Sequence, residues 1–247
     1  MTPIQVTWLR EVRAFRGTLA FCVPVAAFLA VCGWTFALVL RRHEGSVLQV
    51  HSLWGVSVAP WLPILSAVLT MRFFAEERST GMIDVLMSTP VRERDLVLGK
   101  FLSAMTVLGA ALALSMVPPM AILPALSVPV HGSIHPVAFA ATYFILILQA
   151  STWCAAGTMI SALFRNQAAA AVTSLVLCSG LPVAVYAVIL AWIPSVRIEV
   201  AWLPLLVHVY DFSTGLFSTS VVALYVTLTV FFLFGCSKLL SCLRLRG

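Results

Sequence analysis

From Thr18 to Leu40, from Phe101 to Ala125 and again from Val137 to Leu163, the chain carries no Asp, Glu, Lys or Arg. A helix needs about 20 mostly apolar residues to cross the hydrocarbon of a bilayer. Lipid offers no partners for backbone N–H and C=O groups, so only helices and closed barrels span it. A barrel would show segments of about ten residues alternating polar and apolar, whereas these runs are continuously apolar. Of the 247 residues 61% are hydrophobic and 10% charged, with a mean hydropathy of +1.04, against roughly a quarter charged in a soluble domain. A water-soluble fold is excluded. The pattern predicts an all-α integral membrane protein, one transmembrane domain over 1–247 with six spans at about 18–40, 52–73, 101–125, 137–163, 168–193 and 220–240.

Residues 1–16 place Ile4, Trp8, Val12 and Phe15 on one helical arc and Arg10, Arg13 and Arg16 on the other, with Pro3 suited to a first turn. This predicts an amphipathic helix lying in the membrane interface. A cleaved signal peptide is the competing reading, but Glu11, the arginine-rich lead and the length of the first apolar run fit it poorly. Between Pro194 and Thr219 the chain is apolar but broken by Pro204 and His208, which predicts a short re-entrant or interfacial helix before the last span. The six cysteines lie in or at the ends of apolar runs without C-x-x-C spacing, as packing residues do rather than disulfide or zinc partners. No internal repeat points to an inverted-repeat transporter.

In the six-span arrangement one side holds Arg10, Arg13, Arg16, Arg72, Arg78, Arg92, Arg94, Lys100, Arg165, Lys238, Arg244 and Arg246, and the other only Arg41, Arg42 and Arg197. The positive-inside bias therefore predicts a multi-pass protein of the cytoplasmic membrane with both termini cytoplasmic. The net charge of +6 is an inside-facing bias, not a nucleic-acid signal.

The most charged stretch leaves span 2 and returns in span 3, and 74–100 is expected to be a cytoplasmic coupling segment. Glu76, Glu77 and Arg78 are followed by a turn at Gly81 and a short amphipathic helix with Met82, Val85 and Leu86 on its apolar face and Asp84 beside them. Thr89 and Pro90 can start the next helix. An apolar face flanked by Glu76, Glu77, Arg78, Asp84, Arg92, Glu93, Arg94 and Asp95 suits a protein partner. The plainer alternative is that Glu76, Glu77 and Arg78 only solvate the end of a membrane helix.

The string from Thr70 to Gly81, with Ser88-Thr89-Pro90-Val91, Leu98-Gly99-Lys100-Phe101 and the string from His208 to Gly215, resembles the permease subunits of ABC-2 type ATP-binding cassette transporters, and among them the GldF-like permeases named from gliding motility. Asp84 stands where that family more often has Glu. The resemblance implies a permease whose elbow between spans 2 and 3 docks on a separate cytoplasmic ATPase. It also implies a dimer with an identical or related permease, two ATPase copies, and export driven by ATP hydrolysis. The alternative from another class is a membrane anchoring or assembly subunit that passes ATPase-driven motion to an outer machine, such as gliding motility or metalloenzyme maturation.

The chain is not expected to be an enzyme. A P-loop needs two glycines spaced before Lys and Ser or Thr, but Phe101 follows Gly99-Lys100 and Arg94 stands at the first glycine position. No cofactor is expected on this chain, with ATP and magnesium on the partner. His131 and His135 are four apart, as ligands for copper or zinc can be, but Pro136 opposes a helix presenting both rings, and no metal site is assigned. An intramembrane enzyme or metal-handling protein built on the outer histidines is therefore the weaker reading. His208 and Asp211 are an ionisable pair close to lipid, which is costly unless partnered. They are expected to form a structural pair or an outer gate, because Ser213 and Ser218 give no specific nucleophile for a hydrolase. The near absence of charge within the spans favours a hydrophobic or amphipathic cargo.

Overall fold

The computed structural model describes residues 2–17, 19–42, 50–82, 92–120, 136–180 and 204–244. Among these the regular structure is all helical. The helices are α1 (Pro3–Gly17), α2 (Leu19–Arg42), α3 (Val50–Val58), α4 (Leu62–Thr70), α5 (Ala75–Ser79), α6 (Glu93–Leu114), α7 (Pro136–Leu163), α8 (Gln167–Leu175), α9 (Pro204–Ser213) and α10 (Thr219–Arg244).

Five helical segments among the described residues are long and apolar enough to cross a membrane: Cys22–Arg41, Val50–Ser79, Glu93–Met120, Pro136–Leu163 and Thr219–Arg244. The expected span at 168–193 is described only to Gly180, as α8 followed by the wider turn Val176–Gly180; its remainder lies outside the described residues. Span 3 starts earlier than expected. Arg92 is extended and the helix begins at Glu93, with Glu93 and Asp95 in its first turn, where acidic groups suit the helix dipole. Residues 93–100, the end of the expected coupling segment, are therefore helical and continuous with the helix that carries span 3. Span 2 is interrupted where Pro60 and Pro63 fall, with the 3-10 turn Ala59–Trp61 between α3 and α4.

Helix α7 is the post of the bundle and packs on α3, α4, α6, α8, α9 and α10. Its second half includes the buried small residues Ala155, Ala156, Gly157, Ser161 and Ala162, and small residues let membrane helices approach backbone to backbone. A Cβ on Gly157 would collide with Thr70 Oγ1. By contrast α10 turns Val226, Val230, Phe231 and Phe234 outward, as expected of a helix facing lipid. Helix α1 packs along the start of α6, where a Cβ on Gly99 would come within 2.7 Å of Thr7 Cβ. The amphipathic N-terminal helix thus rests on the bundle through Phe15, which is buried edge-on against Phe73, and leaves Arg10 and Arg13 exposed.

Candidate functional site

Between α4 and α5 the chain makes a turn at 71–74, which takes backbone groups out of the helical ladder deep in the bundle. Buried N–H and C=O groups need partners, and here side chains of two other helices supply them. Ser161 Oγ, on α7, accepts from the N–H of Phe74 at 3.1 Å and of Ala75 at 3.2 Å and donates to Met71 O at 3.0 Å. Lys100 Nζ, on α6, donates to Phe73 O at 2.5 Å. Side-chain partners of this kind are what buried irregular backbone requires.

Lys100 is 1% exposed. A lone ammonium there would carry a large desolvation penalty, which is offset by Glu77 Oε1 at 2.6 Å and Glu11 Oε1 at 3.5 Å. The faces of Phe74 and Phe73 lie 4.9 and 5.7 Å from Nζ, adding cation–π attraction. Arg10, half exposed, reaches both carboxylates at 3.3 Å, and at that exposure adds little. One ammonium therefore joins α1, α5 and α6 to the carbonyl at the break. A cleft of about 630 Å³ opens beside it, lined by Arg10, Glu11, Arg72, Glu76, Glu77 and Met82 among others.

Arg78 also points inward. Its Nη1 donates to Ala162 O at 2.5 Å, at the C-terminal end of α7, where free carbonyls and the helix dipole favour a cation. Ser79 and Thr80 hydroxyls fold back on Glu76 O, and Gly81 closes the helix at φ 72°, a conformation that only glycine adopts without strain.

Of the residues singled out in the sequence, the structure gathers Glu77 and Arg78 into contacts inside the bundle. It leaves Glu76 and Met82 on the surface, Met82 at 57% exposure. Asp84, Val85 and Leu86 lie outside the described residues, as do Thr89, Pro90, His131 and His135. Lys100 and Ser161 are added. Lys100 stood in the resembling string without a role, and nothing in the sequence separates Ser161 from the other serines of the spans.

At the other end of the bundle His208 does not bond to Asp211. Its Nδ1 lies 2.9 Å from Tyr225 Oη, which also accepts from Gln149 Nε2 at 3.3 Å. Burial pushes the His208 imidazole below its usual range, and the nearby Asp211 carboxylate opposes that shift. His51 Nε2 meets Ser213 O at 2.9 Å, so α9 is tied to α3 and α10 by imidazole hydrogen bonds.

These strings and this all-helical frame meet an independent comparison. The model of the ABC-2 family transporter proteins matches residues 25–194, well over half of the chain. The chain belongs to that family. It is a multi-pass membrane permease subunit of an ABC transporter, and membership implies partnership with an ABC ATPase. No curated protein matches the chain.

Proposed function

We propose that residues 71–82 are the joint through which a separate ATPase drives this ABC-2 permease. The carrying observation is the break at 71–74, whose backbone is held by Ser161 of α7 and Lys100 of α6. A push on α5 is thereby delivered to two spans and, through Glu11, to α1. Glu76 and Met82 are the outward groups for the ATPase contact, with Asp84, Val85 and Leu86 continuing it, while Glu77 and Arg78 transmit rather than dock. In this reading the elbow and both termini are cytoplasmic, and the working unit is a dimer of permeases with two ATPase copies. The direction is export, in the manner of the GldF-like permeases. This chain binds no nucleotide of its own; ATP and magnesium sit on the ATPase.

The test is to tag the full-length chain, extract it in mild detergent and quantify the co-purifying ATPase. Burying a charge in an apolar interface is expensive, so Met82→Asp is expected to cut the bound ATPase about tenfold with insertion unchanged. A Met82→Asp preparation with as much ATPase as wild type, or wild type with none while its oligomer persists, would contradict the reading.

A further inference from the structure

Helices α6 and α10 leave a groove of about 290 Å³ between them, walled by Val97, Leu98, Val230, Leu233 and Phe234 with Arg94 at its rim. Leu98 is 37%, Phe234 54% and Val230 60% exposed, so the groove opens sideways onto the apolar face that a membrane helix turns to lipid. Lys238 Nζ stands 5.5 Å from the centre of the Phe234 ring, placing a second cation beside that wall of the groove. The nearby carboxylate of Glu93 is held by Arg244 at 2.7 Å. Among the described residues neither Arg94 nor Lys238 is ion-paired, so two cations face outward over an apolar trough.

We propose that this groove is a binding site for an anionic phospholipid, with the headgroup phosphate between Arg94 and Lys238 and an acyl chain along Leu98, Val230 and Phe234. The guanidinium matches a phosphate with two parallel donors. Lys238 lies six residues inside Arg244 on α10, about 9 Å along the axis, and its stem leans along the groove wall toward Phe234. From Lys238 to Val230 the groove continues about 12 Å toward the membrane interior, the direction an acyl chain takes from its headgroup. The charge pair selects phosphatidylglycerol or another anionic lipid over a zwitterionic one, because basic groups near the cytoplasmic leaflet gain from its negative charge. The site rests on the cytoplasmic placement of this end of α10 proposed above, and not on the coupling joint.

The experiment is native mass spectrometry of the purified full-length protein titrated with phosphatidylglycerol and with phosphatidylcholine of the same chains. Wild type is expected to retain phosphatidylglycerol preferentially. The double variant Arg94→Ala/Lys238→Ala is expected to lose roughly tenfold of that binding, and Leu98→Trp, which fills the groove with both cations intact, to lose it as well. Arg13→Ala, removing an exposed cation from α1, is expected to bind as wild type does. Equal binding of the two lipids by wild type, undiminished phosphatidylglycerol binding in Leu98→Trp, or an equal loss in Arg13→Ala would overturn the site. A double variant that breaks the oligomer while keeping its lipid would overturn it too, making the groove a protein contact. ATPase co-purification on the same samples reports the coupling joint separately.

Discussion

The two ends of this bundle solve the same problem with different chemistry. Where α5 leaves span 2, backbone freed by the turn is held by a serine hydroxyl and by a buried ammonium that two carboxylates pair. Where α9 returns to α10, the ties are uncharged: His208 to Tyr225, Tyr225 to Gln149, and Thr152 Oγ1 donating to Tyr225 O at 3.2 Å. Ionic contacts lose much when one member is removed, because the survivor is left charged and dry. Neutral hydrogen bonds lose about one bond's worth each. The first arrangement suits a place where elements must move together, and the second a place that is only to be closed.

That contrast is broken most severely at Lys100. Lys100→Ala leaves Glu77 and Glu11, half-buried beside the cleft, with only the half-exposed Arg10 as cation, and is expected to destabilise the protein by about 3 kcal/mol, read as the unfolding midpoint in detergent titration. Adding Glu77→Gln to that variant should recover part of the loss; a double variant worse by the full sum of both singles would mean that the two side chains act independently. Ser161→Ala strips the partner from the N–H groups of Phe74 and Ala75 and is expected to cost about 1–3 kcal/mol. An effect below half of that would show that the break at 71–74 is held by Lys100 alone. At the far end Tyr225→Phe, which removes only the hydroxyl shared by His208 and Gln149, is expected to cost about 1–2 kcal/mol. A loss equal to that of Lys100→Ala would erase the difference between the ends.

The smallest expected effect is on pH dependence. His208 titrates below its usual range in the folded protein, so the stability it contributes is present above the ordinary histidine pKa of about 6.5 and is lost as pH falls through the lower folded value. Its surroundings are Asp211 on its own helix, Tyr225 on α10 and neutral Gln149 on α7. His51 of α3 is the other histidine bonded to α9. Unfolding midpoints between pH 7.5 and 5 should fall more steeply for wild type than for His208→Gln, with His51→Gln as the control for the second imidazole. Parallel slopes for wild type and His208→Gln would remove His208 from the account.

The apolar runs made the class and most helix positions legible, because a stretch such as Val137 to Leu163 has no other stable form in lipid. The turn at Gly81 was legible too, since the helix needs a left-handed residue there. Gly215 does the same after α9, at φ 88°, where Leu216 N–H bonds to Asp211 O and Gly215 N–H to Phe212 O, the Schellman pattern. The direction of each charged side chain was not legible. Glu76, Glu77 and Arg78 are consecutive, yet the first faces solvent and the other two face Lys100 and Ala162. What decides between them is the position of α6 and α7, which the local sequence does not encode. For the same reason His208 chose Tyr225, far along the chain, over Asp211 one turn away.

The most direct measurement is the ATP hydrolysis rate of the complex with its ATPase for wild type, Glu77→Gln and Tyr225→Phe, each normalised to bound ATPase. The account predicts that Glu77→Gln keeps its ATPase yet loses most of the permease-dependent stimulation, by about tenfold, while Tyr225→Phe stays within about twofold of wild type. Full stimulation in Glu77→Gln, or an equal loss in both variants, would contradict the claim that the joint at 71–82 carries the motion.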